Sequence, residues 1–268
     1  MHPSPRAGLR TPHRLVRAMV EPPAARTGVP HAPPPRVSLI VPTWNEGKWL
    51  PTLLDALRAQ TVPPSEIVVA DSGSSDETAD VARSAGAIVT EGDRRGPGEG
   101  RNRGARVASG EILVFIDADC VPPRNLIESV CLALADPTVV GGATGFVPAD
   151  GRAIERLLFR LANGYQRAMT LWGLPHNAGY CFFFRKEAFE RLRGIREDML
   201  LNETHDLAMR SRALGRFVIL PIAVETSMRR FRAYGYFRTV LKEYIASTIL
   251  YYATGRTPPD VFRPAPAR

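Results

Sequence analysis

The chain has 268 residues, 44% of them hydrophobic, with 35 Lys and Arg against 27 Asp and Glu for a formal net charge of +8. That apolar content builds a real core, which excludes an intrinsically disordered protein, and the length suits one large α/β domain. Three cysteines (Cys120, Cys131 and Cys181) are odd in number and lack metal-ligand spacing, which excludes a disulfide scaffold and fits a reducing, cytoplasmic setting.

The charge is uneven. Residues 1–36 hold six arginines and one glutamate, so they carry +5 and leave +3 for the other 232 residues. The same stretch holds nine of the 24 prolines, including Pro22-Pro23 and Pro33-Pro34-Pro35. Proline fixes φ and removes a backbone donor, so residues 1–36 read as a disordered Pro/Arg-rich leader. Leu15-Val16 runs straight into Arg17, so the leader lacks the apolar core of a signal peptide. Regular patterning begins at Val37. Val37-Ser38-Leu39-Ile40-Val41, ended by Pro42, is a buried strand, and Trp49, Leu50, Leu53, Leu54 and Leu57 fall at helical spacing within 46–60. Ile67-Val68-Val69-Ala70 is a second strand closed by Asp71-Ser72-Gly73-Ser74, and Ser75 before Asp76-Glu77 reads as a helix N-cap. Ala87-Ile88-Val89 is a third strand, a Gly-rich loop and a helix over 100–109 follow, and Ile112 to Ile116 is a fourth. This alternation predicts a Rossmann-like, doubly wound, mostly parallel sheet with helices on both faces. Further on, Gly141 to Gly145 continues the sheet, 152–171 is an amphipathic helix, and Tyr180 to Phe184 is another strand.

Ligands of such sheets sit at the carboxyl ends of the strands, and four of those ends carry chemistry here. Asp117-Ala118-Asp119 places two carboxylates at the end of the fourth strand. Their mutual repulsion is relieved by a hard divalent ion, Mg²⁺ or Mn²⁺, with Asp119 the better ligand and Asp117 sharing the ion or facing a ribose. Two loop acids capping the helix that starts near Arg124 are the plainer alternative. Asp71 can accept from a base or ribose, and Trp44 in Pro42-Thr43-Trp44-Asn45-Glu46 offers a stacking face. The segment from Gly92 to Arg103 sets Arg94, Arg95, Arg101 and Arg103 around a glycine-rich turn at a helix start, an arrangement that favours phosphate but lacks the lysine of a Walker loop.

Val37-Ser38-Leu39-Ile40-Val41-Pro42-Thr43-Trp44-Asn45-Glu46, Asp71-Ser72-Gly73-Ser74-Ser75-Asp76, Arg101-Asn102-Arg103-Gly104-Ala105 and Phe115-Ile116-Asp117-Ala118-Asp119 together resemble a family 2 glycosyltransferase with the GT-A fold, over about Val37 to Val224. The resemblance implies transfer of one sugar from a nucleoside-diphosphate sugar, of which a UDP-sugar is the family's usual form, with inversion at the anomeric carbon. It also implies nucleotide-sugar contacts from Pro42, Thr43, Trp44, Glu46, Asp71, Arg94, Arg101 and Asp117, and a metal on Asp119 and Asp117. Inversion needs a general base, and a carboxylate is the usual choice. The family places its base in a Glu-Asp pair opening an Asp-Leu-x-x-Arg helix, which matches Asn202 to Arg210 here, with Thr204 where the aspartate is commonest. Asp206 is favoured over Glu203 by a small margin, and His205 is also arguable. No Gln-x-x-Arg-Trp segment is present, which favours a single-sugar transferase over a processive synthase.

Three other readings stay open: a nucleotidyltransferase-like sugar-nucleotide enzyme, an inactive relative because of Thr204, and a basic nucleic-acid-binding protein. The last is weakened by acidic strand ends, a poor lining for a polyanion, so nucleic acid is not an expected partner. Past a domain of 37–228, residues 229–268 form an expected C-terminal unit in which Arg229, Arg230, Arg232, Arg238 and Lys242 interleave with seven Phe and Tyr. Such a helix packs on its own domain or lies against a membrane and a lipid-linked acceptor, at the inner face. The apolar stretch from Tyr244 to Ala253 is too short to span a bilayer, which takes about 20 residues.

Overall fold

The computed structural model describes residues 35–235, 239 and 244–257. Residues 1–34 of the expected leader lie outside that range, as do 236–238, 240–243 and 258–268 of the expected C-terminal unit.

The first half alternates as its hydrophobic pattern dictates. It runs β1 (Val37–Thr43), α1 (Leu50–Arg58), β2 (Glu66–Asp71), α2 (Thr78–Ser84), β3 (Ile88–Glu91), α3 (Pro97–Val107) and β4 (Ile112–Ile116). The second half follows as β5 (Cys120–Val121), α4 (Leu126–Leu134), β6 (Val139–Pro148), α5 (Ala153–Leu171), β7 (Cys181–Arg185), α6 (Lys186–Arg191), α7 (Glu203–Ser211), β8 (Arg216–Thr226), α8 (Arg229–Tyr234) and α9 (Ser247–Thr254). Eight strands make one sheet in the order β3-β2-β1-β4-β7-β6-β8-β5. β1, β2, β3 and β4 are mutually parallel, as are β6 and β8, whereas β7 runs antiparallel to both β4 and β6. The sheet is thus mixed where the second half joins the first. The expected parallel run holds for the alternating β/α half.

Side chains alternate across the pleat, so each strand feeds two cores. Leu39, Val41, Val114, Ile116 and Phe183 face one side with Leu50, Leu53 and Leu57 of α1 and Leu126, Ile127 and Val130 of α4. Ile40, Leu113, Phe115, Phe182 and Phe184 face the other side with Ala105 of α3 and Leu207 and Ala208 of α7. Helices therefore cover both faces.

Three local expectations shift. The helix expected from residue 46 begins at Leu50, because Asn45 takes a left-handed φ of 54° and the Glu46 carbonyl accepts from the amides of Trp49 and Leu50 in a turn. Ser75 does not cap α2, whose N-cap residue is Glu77. The Ser75 amide is instead committed to Asn45 Oδ1 at 2.8 Å, while Asp76 accepts from the Thr78 amide. The aromatic and basic C-terminal segment is not one helix: α8 stops at Gly235, where φ is 83°, and α9 begins at Ser247. No helix among the described residues is long and apolar enough to cross a membrane.

Candidate functional site

At the carboxyl ends of β1 and β4 lies a cavity of about 1100 Å³, walled on its far side by α5, α7 and the segment from Tyr244 to Ile249. Pro42, Thr43, Trp44 and Glu46 enter it from the end of β1, Arg94 and Arg95 from the glycine-rich loop, Asp117 and Asp119 from beyond β4, and Glu203 from the start of α7. α3 reaches the site because Gly104 lets it lie flat on β1: a Cβ there would stand 2.5 Å from Ile40 Cγ2.

Four carboxylates and two guanidiniums line the cavity, each guanidinium between two carboxylates. Arg101 is buried and binds Asp117 at 2.6 Å and Glu203 at 3.0 Å. Arg229, at the start of α8, binds Asp119 at 3.1 Å and also pairs with Glu46, while its guanidinium lies 5.5 Å from the Trp49 ring. The two meet because β5 pairs with the end of β8, Cys120 opposite Thr226, which carries the start of α8 to Asp119. Burial opposes ionisation of all four acids. It pushes Glu46 up to about 7 and Asp119 up to about 6, with Arg229 opposing both shifts. Asp117 and Glu203 are likewise raised by burial, and Arg101 draws each back down.

Among the described residues no three His, Cys, Asp or Glu side chains converge as a finished metal cage. The donor set still suits a hard cation: all four acids offer oxygen, they outnumber the guanidiniums that touch them two to one, and Glu46 Oε2 is buried without a hydrogen-bond partner. Mg²⁺ and Mn²⁺ are held by one or two carboxylates together with substrate phosphates, and Asp119 and Asp117 supply that number.

Several site residues differ from expectation. Asp71 does not line the cavity. Its carboxylate accepts from Thr43 Oγ1 at 3.0 Å and from the Ser74 amide at 2.9 Å, so it shapes the loops after β1 and β2. Arg101, expected beside a diphosphate, is buried and pairs with Asp117 and Glu203. Arg94 lies 3.5 Å from the centroid of the Trp44 ring and covers the face expected to stack a base. Glu203 lines the cavity, whereas Asp206, one turn on, points away from it. Asp206 binds Arg210 at 2.7 Å and Tyr251 Oη at 3.2 Å and ties α7 to α9. His205 is buried among rings, 4.4 Å from His176 and 5.0 Å from Tyr251. Burial pushes His176 down to about 3 and His205 down to about 4. Arg229 was legible only as one of many basic residues near the C-terminus, since its partners lie more than 100 positions away in the chain.

A mixed sheet with acids gathered beyond the carboxyl ends of its strands and helices on both faces has the architecture of GT-A-type transferases. The profile described as Glycosyl transferase family 2 matches residues 38–193, and the chain belongs to that family. Glycosyltransferase AglE of Haloferax volcanii is 36% identical over 133 residues, 46% of this chain and 44% of that protein. The PGL/p-HBAD biosynthesis glycosyltransferase of Mycobacterium tuberculosis is 36% identical over 170 residues, 54% of this chain and 65% of that protein. The matches thus span less than two thirds of these relatives' length. Among solved structures, the mannosyltransferase PcManGT of Pyrobaculum calidifontis, in complex with GDP-Man and Mn²⁺, aligns with a TM-score of 0.65 at 30% identity, covering 85% of this chain and 67% of that one. Glucosyl-3-phosphoglycerate synthase of Mycobacterium tuberculosis shares the fold, with a TM-score of 0.59 at 20% identity over 84% of this chain and 80% of that one.

Proposed function

We propose that the chain transfers a single sugar from a nucleoside-diphosphate sugar to an acceptor hydroxyl, with inversion. The observation that carries this is the row of four acids in the cavity, Glu46, Asp119 and Asp117 beyond the ends of β1 and β4 and the buried Glu203 at the start of α7, in a family 2 fold. The donor enters at Pro42, Thr43 and Trp44, with Arg94 and Arg95 as the cations open to its diphosphate. Asp119, with Asp117 beside it, would hold a divalent ion, and Mn²⁺ in a mannosyltransferase 30% identical to this chain supports that choice. Such an ion offsets the charge that builds on the departing diphosphate.

Glu203 is the general base of this reading, reversing the order in which Asp206 and Glu203 were ranked. It faces the cavity, and Arg101 holds its carboxylate at 3.0 Å. Glu203 removes the proton of the acceptor hydroxyl as that oxygen bonds to the anomeric carbon and the bond to the diphosphate breaks. Thr204 and His176 line the acceptor side with Leu158, Leu161, Ile245 and Ile249, an apolar wall that fits an acceptor linked to a lipid and met at the inner face of a membrane. The same acids and fold favour this reading over a nucleotidyltransferase or a nucleic-acid binder.

Calorimetric titration of UDP- and GDP-sugars with and without Mn²⁺ tests the donor half. Binding that requires the metal and is lost in Asp119→Asn is the expected result. Absence of binding for every donor and metal overturns the reading.

A further inference from the structure

The 19-residue helix α5 has three faces, of which the fold buries one. Glu155, Phe159 and Gln166 are buried. Ile154, Leu157, Leu161, Tyr165, Ala168 and Trp172 recur at three- and four-residue steps and so form a single stripe. That stripe faces outward: Leu161 is 63% exposed and Trp172 78%, and Leu171 beside it is 85% exposed. Along its edge run Arg156, Arg160 and Arg167, all exposed. Arg152, Arg160 and Arg167 form no ion pair among the described residues. The helix has one acid, Glu155, which is buried and bound to Arg232. Every fully exposed residue of α5 is therefore apolar, aromatic or cationic.

An apolar stripe with a tryptophan at its C-terminal end and an arginine edge is the pattern of a helix lying in a lipid interface. The cationic edge selects an anionic surface, and it disfavours a second copy of this chain, since a two-fold pairing of α5 would set arginine against arginine. The stripe also runs into the acceptor side of the cavity, which Leu161 lines together with Ile245 and Ile249, themselves 46% and 64% exposed.

We propose that α5, rather than the aromatic and basic C-terminal segment, docks this protein on an anionic lipid bilayer. Leu157, Leu161 and Trp172 enter the acyl boundary, Arg156, Arg160 and Arg167 meet headgroup phosphates, and the acceptor side of the cavity opens onto the leaflet. This extends the membrane-side reading of the site but stands on residues outside its acids.

The test is co-sedimentation of the full chain with vesicles of phosphatidylcholine alone or mixed with phosphatidylglycerol. Binding to the mixed vesicles is expected, with brominated acyl chains quenching tryptophan emission and Trp172→Phe abolishing the quench. Arg160→Gln and Arg167→Gln should each weaken partitioning about fivefold, and the double change more than tenfold. Leu157→Gln with Trp172→Gln should release the protein, while Leu132→Gln, an exposed apolar site on α4, should change nothing. Binding that survives the α5 changes with Trp172 unquenched assigns the attraction to the arginines of residues 1–36 and overturns the proposal. A lipid-free dimer that shields Trp172 in ultracentrifugation also overturns it. Mn²⁺-dependent donor binding, measured on the same variants, is expected to be unchanged; its absence in every sample would sink the transferase reading and leave the vesicle result standing.

Discussion

Glu203 and Asp206 lie within one turn of α7, yet their surroundings give them different work. Glu203 meets the cavity and a single buried guanidinium, whereas Asp206 is shared by Arg210, Arg196 and Tyr251. Glu203→Gln should retain donor binding and lower transfer by about 10²- to 10⁴-fold, read in single-turnover assays once an acceptor is in hand. Asp206→Asn should keep transfer but lower stability by about 1–3 kcal/mol in urea unfolding, since it weakens charged hydrogen bonds. The rate should also fall on acidification through a pKa above the ordinary 4.5 of glutamate, because burial raises Glu203 and the base acts only when ionised. The histidines carry the opposite sign. His205 titrates at about 4 in the fold against 6.5 in water, so its contribution is complete above pH 6.5 and is lost as pH falls toward 4. His205→Leu should therefore gain on the wild type by roughly 2 kcal/mol between pH 7 and pH 4.5, measured as the difference between their urea stabilities at each pH.

At the level of elements, glycines mark where backbones must approach and where they need not. A Cβ on Gly142 of β6 would stand 2.4 Å from the Val218 carbonyl oxygen of β8 and 2.6 Å from the Phe183 ring of β7. The first obstacle is backbone and cannot rotate away, so Gly142→Ala should destabilise by about 2 kcal/mol or more. Gly164 in α5 meets nothing within 4 Å, so Gly164→Ala should stabilise by roughly 0.5–1 kcal/mol, and paired thermal melts check both signs. These local facts also explain how far the sequence could be read. β1, β2 and β4 fall within about two residues of expectation because buried runs of branched residues bounded by turn formers admit little else. The strand β7 was legible but its antiparallel direction was not, since its phenylalanine run is equally apolar in either direction and only the return path of the chain sets the pairing. The strand-end acids were legible for the same reason as the strands. The partners that neutralise them were not, because Arg101 and Arg229 reach those acids from other elements through the topology alone.

Across the described domain, the site is assembled from both halves of the sheet. The alternating half contributes Glu46, Asp117 and Asp119, and the mixed half returns Glu203 on α7 and Arg229 on α8. The opening charge balance takes on a different meaning here: +5 of the +8 belongs to residues 1–36, and the cations among the site's acids, Arg101 and Arg229, are paired with those acids. Arg229 is the clearest case, because it couples the end of β8 to the acids beside β4. With its guanidinium removed, Asp119 and Glu46 would face each other across a buried gap with no cation between them. Such an uncompensated charge costs a few kcal/mol. Arg229→Gln should therefore melt well below the wild type when divalent ions are chelated. Mn²⁺ can supply the missing positive charge, so its stabilising shift should be larger in the variant than in the wild type, even without nucleotide. Thermal melts of both proteins in chelator and in Mn²⁺ give the comparison. Equal shifts would mean that Asp119 takes its metal independently of Arg229, and that the guanidinium serves only to hold α8 against the sheet.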